Sequence, residues 1–197
     1  MNEHRGTLDA AGRRFAIVVS RFNETYTVKL LQGARETLLQ LGARDADCDI
    51  FWVPGSFEVP QAARMAAKGG RYDAVIGLGV LIRGATAHFD CVAREAAHGL
   101  AEVARETGVP AVFGIVTAEN AEQAAERTGG RMGNRGADAA RTAVEMANLF
   151  RSLRGRGPAA PPASRGKRPG EDALLAADTP LHGEPPRPGA PRPGSRA

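Results

Sequence analysis

Aromatic side chains make up only 5% of the 197 residues, and all of them lie between Phe15 and Phe150. Cysteine is scarcer still: Cys48 and Cys91 are the only two, in no C-x-x-C or Cys/His ligand spacing. That excludes a disulfide scaffold and a structural zinc site. The longest strongly apolar run, Ala74–Ile82, has nine residues, whereas a membrane span needs about 20. The opening MNEHRGTLDAAGRR has no apolar stretch that could serve as a secretory signal. The expectation is a cytoplasmic protein with two reduced thiols and no membrane contact.

Proline is equally uneven. Three of the 13 prolines precede Arg154 and ten follow it. Residues 155–197 hold no aromatic and few large apolar side chains. Such a segment cannot bury enough surface to offset the entropy of ordering, so the composition predicts a disordered Pro/Arg/Gly-rich tail. The net charge of +4 and the isoelectric point near 9.6 invite a nucleic-acid reading. Yet the tail carries seven Lys/Arg against four Asp/Glu, so only one net positive charge remains for residues 1–154. A basic recognition face on the domain is therefore not supported. Weak polyanion binding is confined to the tail, beside the simpler reading of a solvated appendage.

What residues 13–154 do contain is a pattern of β-rich run, loop and helical stretch, four times over. Phe15–Val19 is a five-residue apolar run suited to a strand buried on both faces. Apolar residues at near-helical spacing predict a helix over Glu24–Leu41, stopped by Gly42. A strand near Cys48–Val53 precedes a helix over about Phe57–Lys68, with Pro60 in its first turn and Gly69-Gly70 as its stop. Ala74–Ile82 reads as the third strand, followed by a helix from about Phe89 to Thr107. Ala111–Val116 reads as the fourth, followed by a helix near Ala121–Thr128. The Gly-rich joint GGRMGNRG then leads to a last helix over about Ala137–Leu153. This alternation predicts an α/β fold with a four- or five-stranded parallel sheet and helices on both faces. Ligands in such folds bind beyond the carboxyl ends of the strands.

Those ends carry chemistry. Phe22, just past the first strand, either stacks on a planar ligand or folds back as core. The Pro54–Glu58 loop offers a glycine for close backbone approach and a helix start, and Glu58 equally fits as a dipole-complementing residue. Gly84, Ala85 and Thr86 have the small-residue composition of a phosphate cradle before a helix. His88 beside them can move protons at neutral pH; a capped helix start with a surface histidine is the competing reading. Arg127, Arg131 and Arg135 flank the Gly-rich joint, either completing a phosphate site or forming a solvated basic face. Neither G-x-G-x-x-G, nor the P-loop, nor G-x-S-x-G is present.

Four motifs stand at these ends in order: SRFN (Ser20–Asn23), VPGSFEVP (Val53–Pro60), GVLIRGATAHFD (Gly79–Asp90) and AEQAAERTGGRMGNRGADAA (Ala121–Ala140). Over about Arg13–Leu153 the chain resembles the 6,7-dimethyl-8-ribityllumazine synthases, also known as the riboflavin synthase beta-chain family. The resemblance implies a three-layer, flavodoxin-like fold with a four-stranded sheet. It also implies an enzyme that condenses 5-amino-6-(D-ribitylamino)uracil with 3,4-dihydroxy-2-butanone 4-phosphate, without cofactor or metal.

By the same resemblance Phe22 stacks on the pyrimidine, and Leu81 and Ile82 bond its polar edge through their backbone. Ser56, Phe57 and Glu58 surround the ribityl chain. Gly84, Ala85 and Thr86 hold the phosphate, and His88 shuttles protons. Phe113 and Arg127 come from an adjacent subunit, with Arg135 and Asp138 nearby. The resemblance implies a homo-oligomer built of pentamers, sixty-subunit icosahedral shells in some members, and riboflavin synthase as a partner. The short joint at Thr128–Arg135 is similar to that of the shell-forming members. Residues 1–12 are expected to be flexible and to pair with a neighbouring subunit's sheet. Arg135 stands where such motifs usually have Lys, Ala87 where Pro or Thr is usual, and Ala118 where Thr is usual. A non-catalytic flavin- or lumazine-binding module, or a cargo-binding shell, is the alternative reading.

Overall fold

The computed structural model describes residues 1–155; the tail expected over residues 155–197 lies outside them but for Gly155. Four parallel strands form one sheet in the order β2-β1-β3-β4: β1 Phe15–Ser20, β2 Cys48–Val53, β3 Ala74–Ile82 and β4 Ala111–Ala118. The connecting helices are α1 Glu24–Gln40, α2 Val59–Lys68, α3 His88–Thr107, α4 Ala121–Arg127 and α5 Arg135–Leu153.

Strand alternation sends successive side chains to opposite faces. Phe15, Ile17, Val19, Ile76, Leu78 and Val80 face one layer, where Leu30 and Leu38 of α1 and Ala139, Ala140, Ala143 and Val144 of α5 cover them. Ala16, Val18 and Val75 face the other, under Val59 and Ala63 of α2 and Val92, Ala96 and Leu100 of α3. A fully buried Leu or Ile stabilises the fold by about 1.5–3 kcal/mol relative to leaving it exposed. β1 is buried along its whole length, as its unbroken apolar run requires.

The helices α1 and α5 approach closely because glycines face the contact. A methyl at Gly136 would lie 2.0 Å from the Leu30 carbonyl oxygen. Asn134 holds the same junction: its side-chain oxygen accepts from the Gly136 N–H at 2.8 Å and its amide donates to the Lys29 carbonyl at 2.8 Å. The N-terminal segment lies on α5 as well. The Asn148 amide donates to the carbonyls of Thr7 and Asp9, each at 2.8 Å, and a side chain at Gly6 would meet the Glu145 backbone.

Several boundaries differ from the sequence expectation. The Gly-rich joint is not a plain loop: Thr128–Gly130 (β5) and Gly133–Asn134 (β6) pair as an antiparallel hairpin. α5 starts at Arg135 rather than Ala137, because Asn134 caps the Gly136 and Ala137 N–H groups. α2 starts at Val59, with Ser56–Glu58 forming a turn before it, so Glu58 stands at the cap position and not in the first turn. β4 runs on to Ala118, taking Thr117 and Ala118 out of the expected loop. Among the described residues, no helix is long and apolar enough to cross a membrane.

Candidate active site

The carboxyl ends of β1, β2 and β3 open into a cleft of about 600 Å³. Phe22, Ser56, Phe57 and Glu58 line it together with Leu81, Ile82, Gly84, Thr86 and His88. Ala85 lies exposed on the loop between Gly84 and Thr86. The sequence reasoning thus assembled most of this cleft. It missed Phe89, Cys91 and Val92, which also line it. Residues three and four after a helical position share its face, so the spacing from His88 held the signal for Cys91 and Val92.

Local structure places each group. Phe22 is 64% exposed and therefore not core. Its N–H donates to the Pro54 carbonyl at 3.1 Å, tying the turn after β1 to the loop after β2. Asn23, with φ 61°, occupies the left-handed region that Asn tolerates better than most residues. Its side-chain amide donates to the Val80 carbonyl at 2.8 Å and so pins the turn to β3. Asn23 is a positioning residue whose role the SRFN motif alone does not show.

The Ser56 hydroxyl is buried, lines the cleft and has no hydrogen-bond partner. A buried hydroxyl left unpaired is costly, so a polar ligand atom would satisfy it. Ser56 has room only because its neighbour is glycine: a methyl at Gly79 would lie 2.5 Å from the Ser56 Oγ.

The loop of Gly84–Ala87 ends at His88, the first residue of α3. No side chain caps this helix, so its first N–H groups and dipole are available to an anion. His88 is exposed at the cleft wall. Cys91 is an exposed free thiol one turn on, whereas burial pushes the Cys48 thiol up to about 11. Among the described residues, no group of three His, Cys, Asp or Glu side chains could hold a metal ion.

The remaining expected residues lie elsewhere. Phe113, Arg127, Arg135 and Asp138 line a second cleft of about 700 Å³ beside β4 and α5. Phe113 is 43% exposed there. Arg127 donates to the Gln123 carbonyl at 3.1 Å, and Arg135 pairs with Asp138 at 3.0 Å. Arg131 instead pairs with Glu126. One chain therefore carries two separate clefts: one with His88 and the small residues Gly84 and Thr86, the other with Arg127, Arg135 and the Phe113 ring.

An open α/β domain with an anion-ready helix start and an imidazole at its strand ends defines a class: small-molecule enzymes that bind at the carboxyl edge of a parallel sheet. Comparison with known proteins narrows it. The family described as 6,7-dimethyl-8-ribityllumazine synthase matches residues 12–151, and the chain belongs to that family. It is 53% identical over 148 residues to the 6,7-dimethyl-8-ribityllumazine synthase of Chlorobium phaeobacteroides, a match covering 75% of this chain and 96% of that relative.

Proposed function

We propose that the protein is itself a 6,7-dimethyl-8-ribityllumazine synthase, acting in the penultimate step of riboflavin biosynthesis. The observation that carries this reading is the shared cleft of His88, Gly84 and Thr86 with Phe22, Ser56 and Glu58. The ribitylaminouracil stacks on Phe22. Its ring edge bonds to backbone at Leu81 and Ile82, and its ribityl hydroxyls reach Ser56, Phe57 and Glu58. The unpaired Ser56 hydroxyl supports that placement.

The butanone phosphate seats its phosphate on the Gly84, Ala85 and Thr86 amides. The 5-amino group attacks the ketone carbonyl and water leaves, giving an imine. A proton then leaves carbon as inorganic phosphate departs from its neighbour, and His88 takes that proton. Tautomerisation produces a carbonyl that the ribitylamino nitrogen attacks, and loss of a second water closes the lumazine. His88 returns the proton during ring closure. The uncapped start of α3 favours the dianion before and after it leaves. No cofactor is required for this sequence of steps.

The two clefts support a site shared between subunits. In a ring of more than two subunits the interface is head-to-tail, so one face of each chain meets the other face of the next. Arg127 and Phe113 of one subunit then complete the phosphate and pyrimidine pockets of its neighbour, with Arg135 and Asp138 at the rim. We place the protein in the cytoplasm as a pentamer that assembles further into an icosahedral shell, with riboflavin synthase as its consuming partner. Residues 13–154 carry catalysis, and within residues 1–12 it is the start, ahead of the stretch that α5 holds, that pairs with a neighbouring sheet. Residues 155–197 are dispensable for turnover.

The test is to mix purified protein with both substrates, follow lumazine absorbance, and size the particle in the same preparation. Lumazine formation by a ring or shell is expected. Product binding without product formation would favour a non-catalytic lumazine-binding protein of the same fold.

A further inference from the structure

We propose that Arg83 is the positioning residue of the phosphate loop, fixing both of its ends without touching the ligand. The inference rests on the lumazine synthase reading for the identity of the phosphate-bearing substrate.

Arg83 is the residue after β3, and the loop of Gly84–Ala87 runs from it to His88. Its backbone N–H donates to the Ala118 carbonyl at 2.9 Å, which holds the start of the loop against the end of β4. Its guanidinium holds the other end. Two of its nitrogens grip the Asp90 carboxylate at 2.9 and 3.0 Å, in the first turn of α3. A third donates to Glu119 at 2.8 Å, just beyond β4. The guanidinium carbon lies 4.2 Å from the centre of the Phe89 ring.

An isolated surface ion pair contributes little. Here a planar fork meets one carboxylate with both prongs, a second carboxylate with its Nε–H, and a ring with its face, so its orientation is over-determined. The consequence is a short loop closed at both ends by one residue. Its amides and the neighbouring imidazole are arranged before the ligand arrives, which lowers the ordering cost of binding. The charge of Arg83 is spent on Asp90 and Glu119, and Arg83 holds the Asp90 carboxyl below its usual range. Arg83 is therefore not an additional phosphate ligand.

Positioning and direct attraction predict opposite results for Asp90. If Arg83 attracted the phosphate, Asp90→Asn would free its charge and tighten binding. If Arg83 positions the loop, Asp90→Asn breaks the fork and weakens binding, as Arg83→Ala does. The experiment titrates inorganic phosphate into the full-length assembled protein by calorimetry. It also measures KM for each substrate, for wild type, Arg83→Ala, Arg83→Lys and Asp90→Asn, with thermal midpoints and particle size as folding controls.

Arg83→Ala and Asp90→Asn should each weaken phosphate binding and raise KM for the butanone phosphate by about fivefold, leaving KM for the aminouracil unchanged. Arg83→Lys, which keeps the charge but loses the fork, should fall between them and wild type. Tighter phosphate binding in Asp90→Asn, or unchanged binding in Arg83→Ala, overturns the proposal. Equal changes in both KM values with a lowered midpoint also overturn it, since that marks general loosening. Wild-type protein that makes no lumazine defeats the lumazine synthase reading instead, and the phosphate titration still decides the role of Arg83.

Discussion

His88 opens α3 directly after the Gly84–Ala87 loop, and on the proposed function this adjacency assigns it the proton transfer of phosphate elimination. His88→Ala should lower turnover by about 10²–10⁴-fold, the range typical of acid–base help. A loss well short of that in a steady-state assay would leave orientation of the two substrates as the main source of rate. A second residue-scale prediction concerns acid stability. Arg44 donates two hydrogen bonds to the buried Asp47 carboxylate, at 2.6 and 2.9 Å, and holds its pKa below the ordinary value. A carboxyl depressed in the folded state contributes stability above its unfolded pKa and loses it as pH falls through its folded pKa. Melting temperature should therefore fall as pH drops below about 4, and Asp47→Asn should flatten that acid limb. An unaltered limb in the variant would remove Asp47 from the account.

At this scale the sequence showed the site where chemistry coincided with local spacing. Small residues before a helix, a histidine next to them, and an aromatic after a strand were all visible. Arg83 was not, because its partners stand seven and 36 residues away and only the fold brings them together. Asn23 was hidden for the same reason: its role depends on the carbonyl of Val80 in another strand.

Among the elements, the strands were the most legible. Ala74–Ile82 appears in the structure with the bounds its apolar run predicted, because a strand buried on both faces needs no partner to reveal it. The hairpin of β5 and β6 was illegible, since glycine and a few polar residues carry no periodicity. The start of α5 was displaced by two residues because its cap, Asn134, lay inside that glycine-rich run. The junction it guards gives an element-scale prediction. Gly136→Ala would place a methyl 2.0 Å from the Leu30 backbone oxygen, where backbone must yield rather than a flexible side chain. A destabilisation of about 1–3 kcal/mol is expected from the denaturant midpoint. An unchanged midpoint would mean that α1 and α5 separate at little cost.

For the whole molecule, the decisive feature is the division of site residues between two clefts. His88, Phe22 and Glu58 line one, and Arg127 and Phe113 line the other. The family resemblance implied that division, but residue spacing alone could not show it, because Phe113 lies within β4 and Arg127 at the end of α4. The sheet order sets β4 at one edge, and α4 then carries Arg127 into the second cleft. In the proposed ring, head-to-tail contact would join the two clefts of successive subunits. Its most direct test is complementation between two defective chains. His88→Ala and Arg127→Ala proteins are each purified, dissociated, mixed in equal amounts and reassembled, and lumazine formation is measured. If each site takes its histidine from one subunit and its arginine from the next, random mixing restores intact sites at about one position in four, and activity returns to roughly a quarter of wild type. Activity that stays at the level of the separate variants, in particles shown to contain both chains, would contradict a shared site.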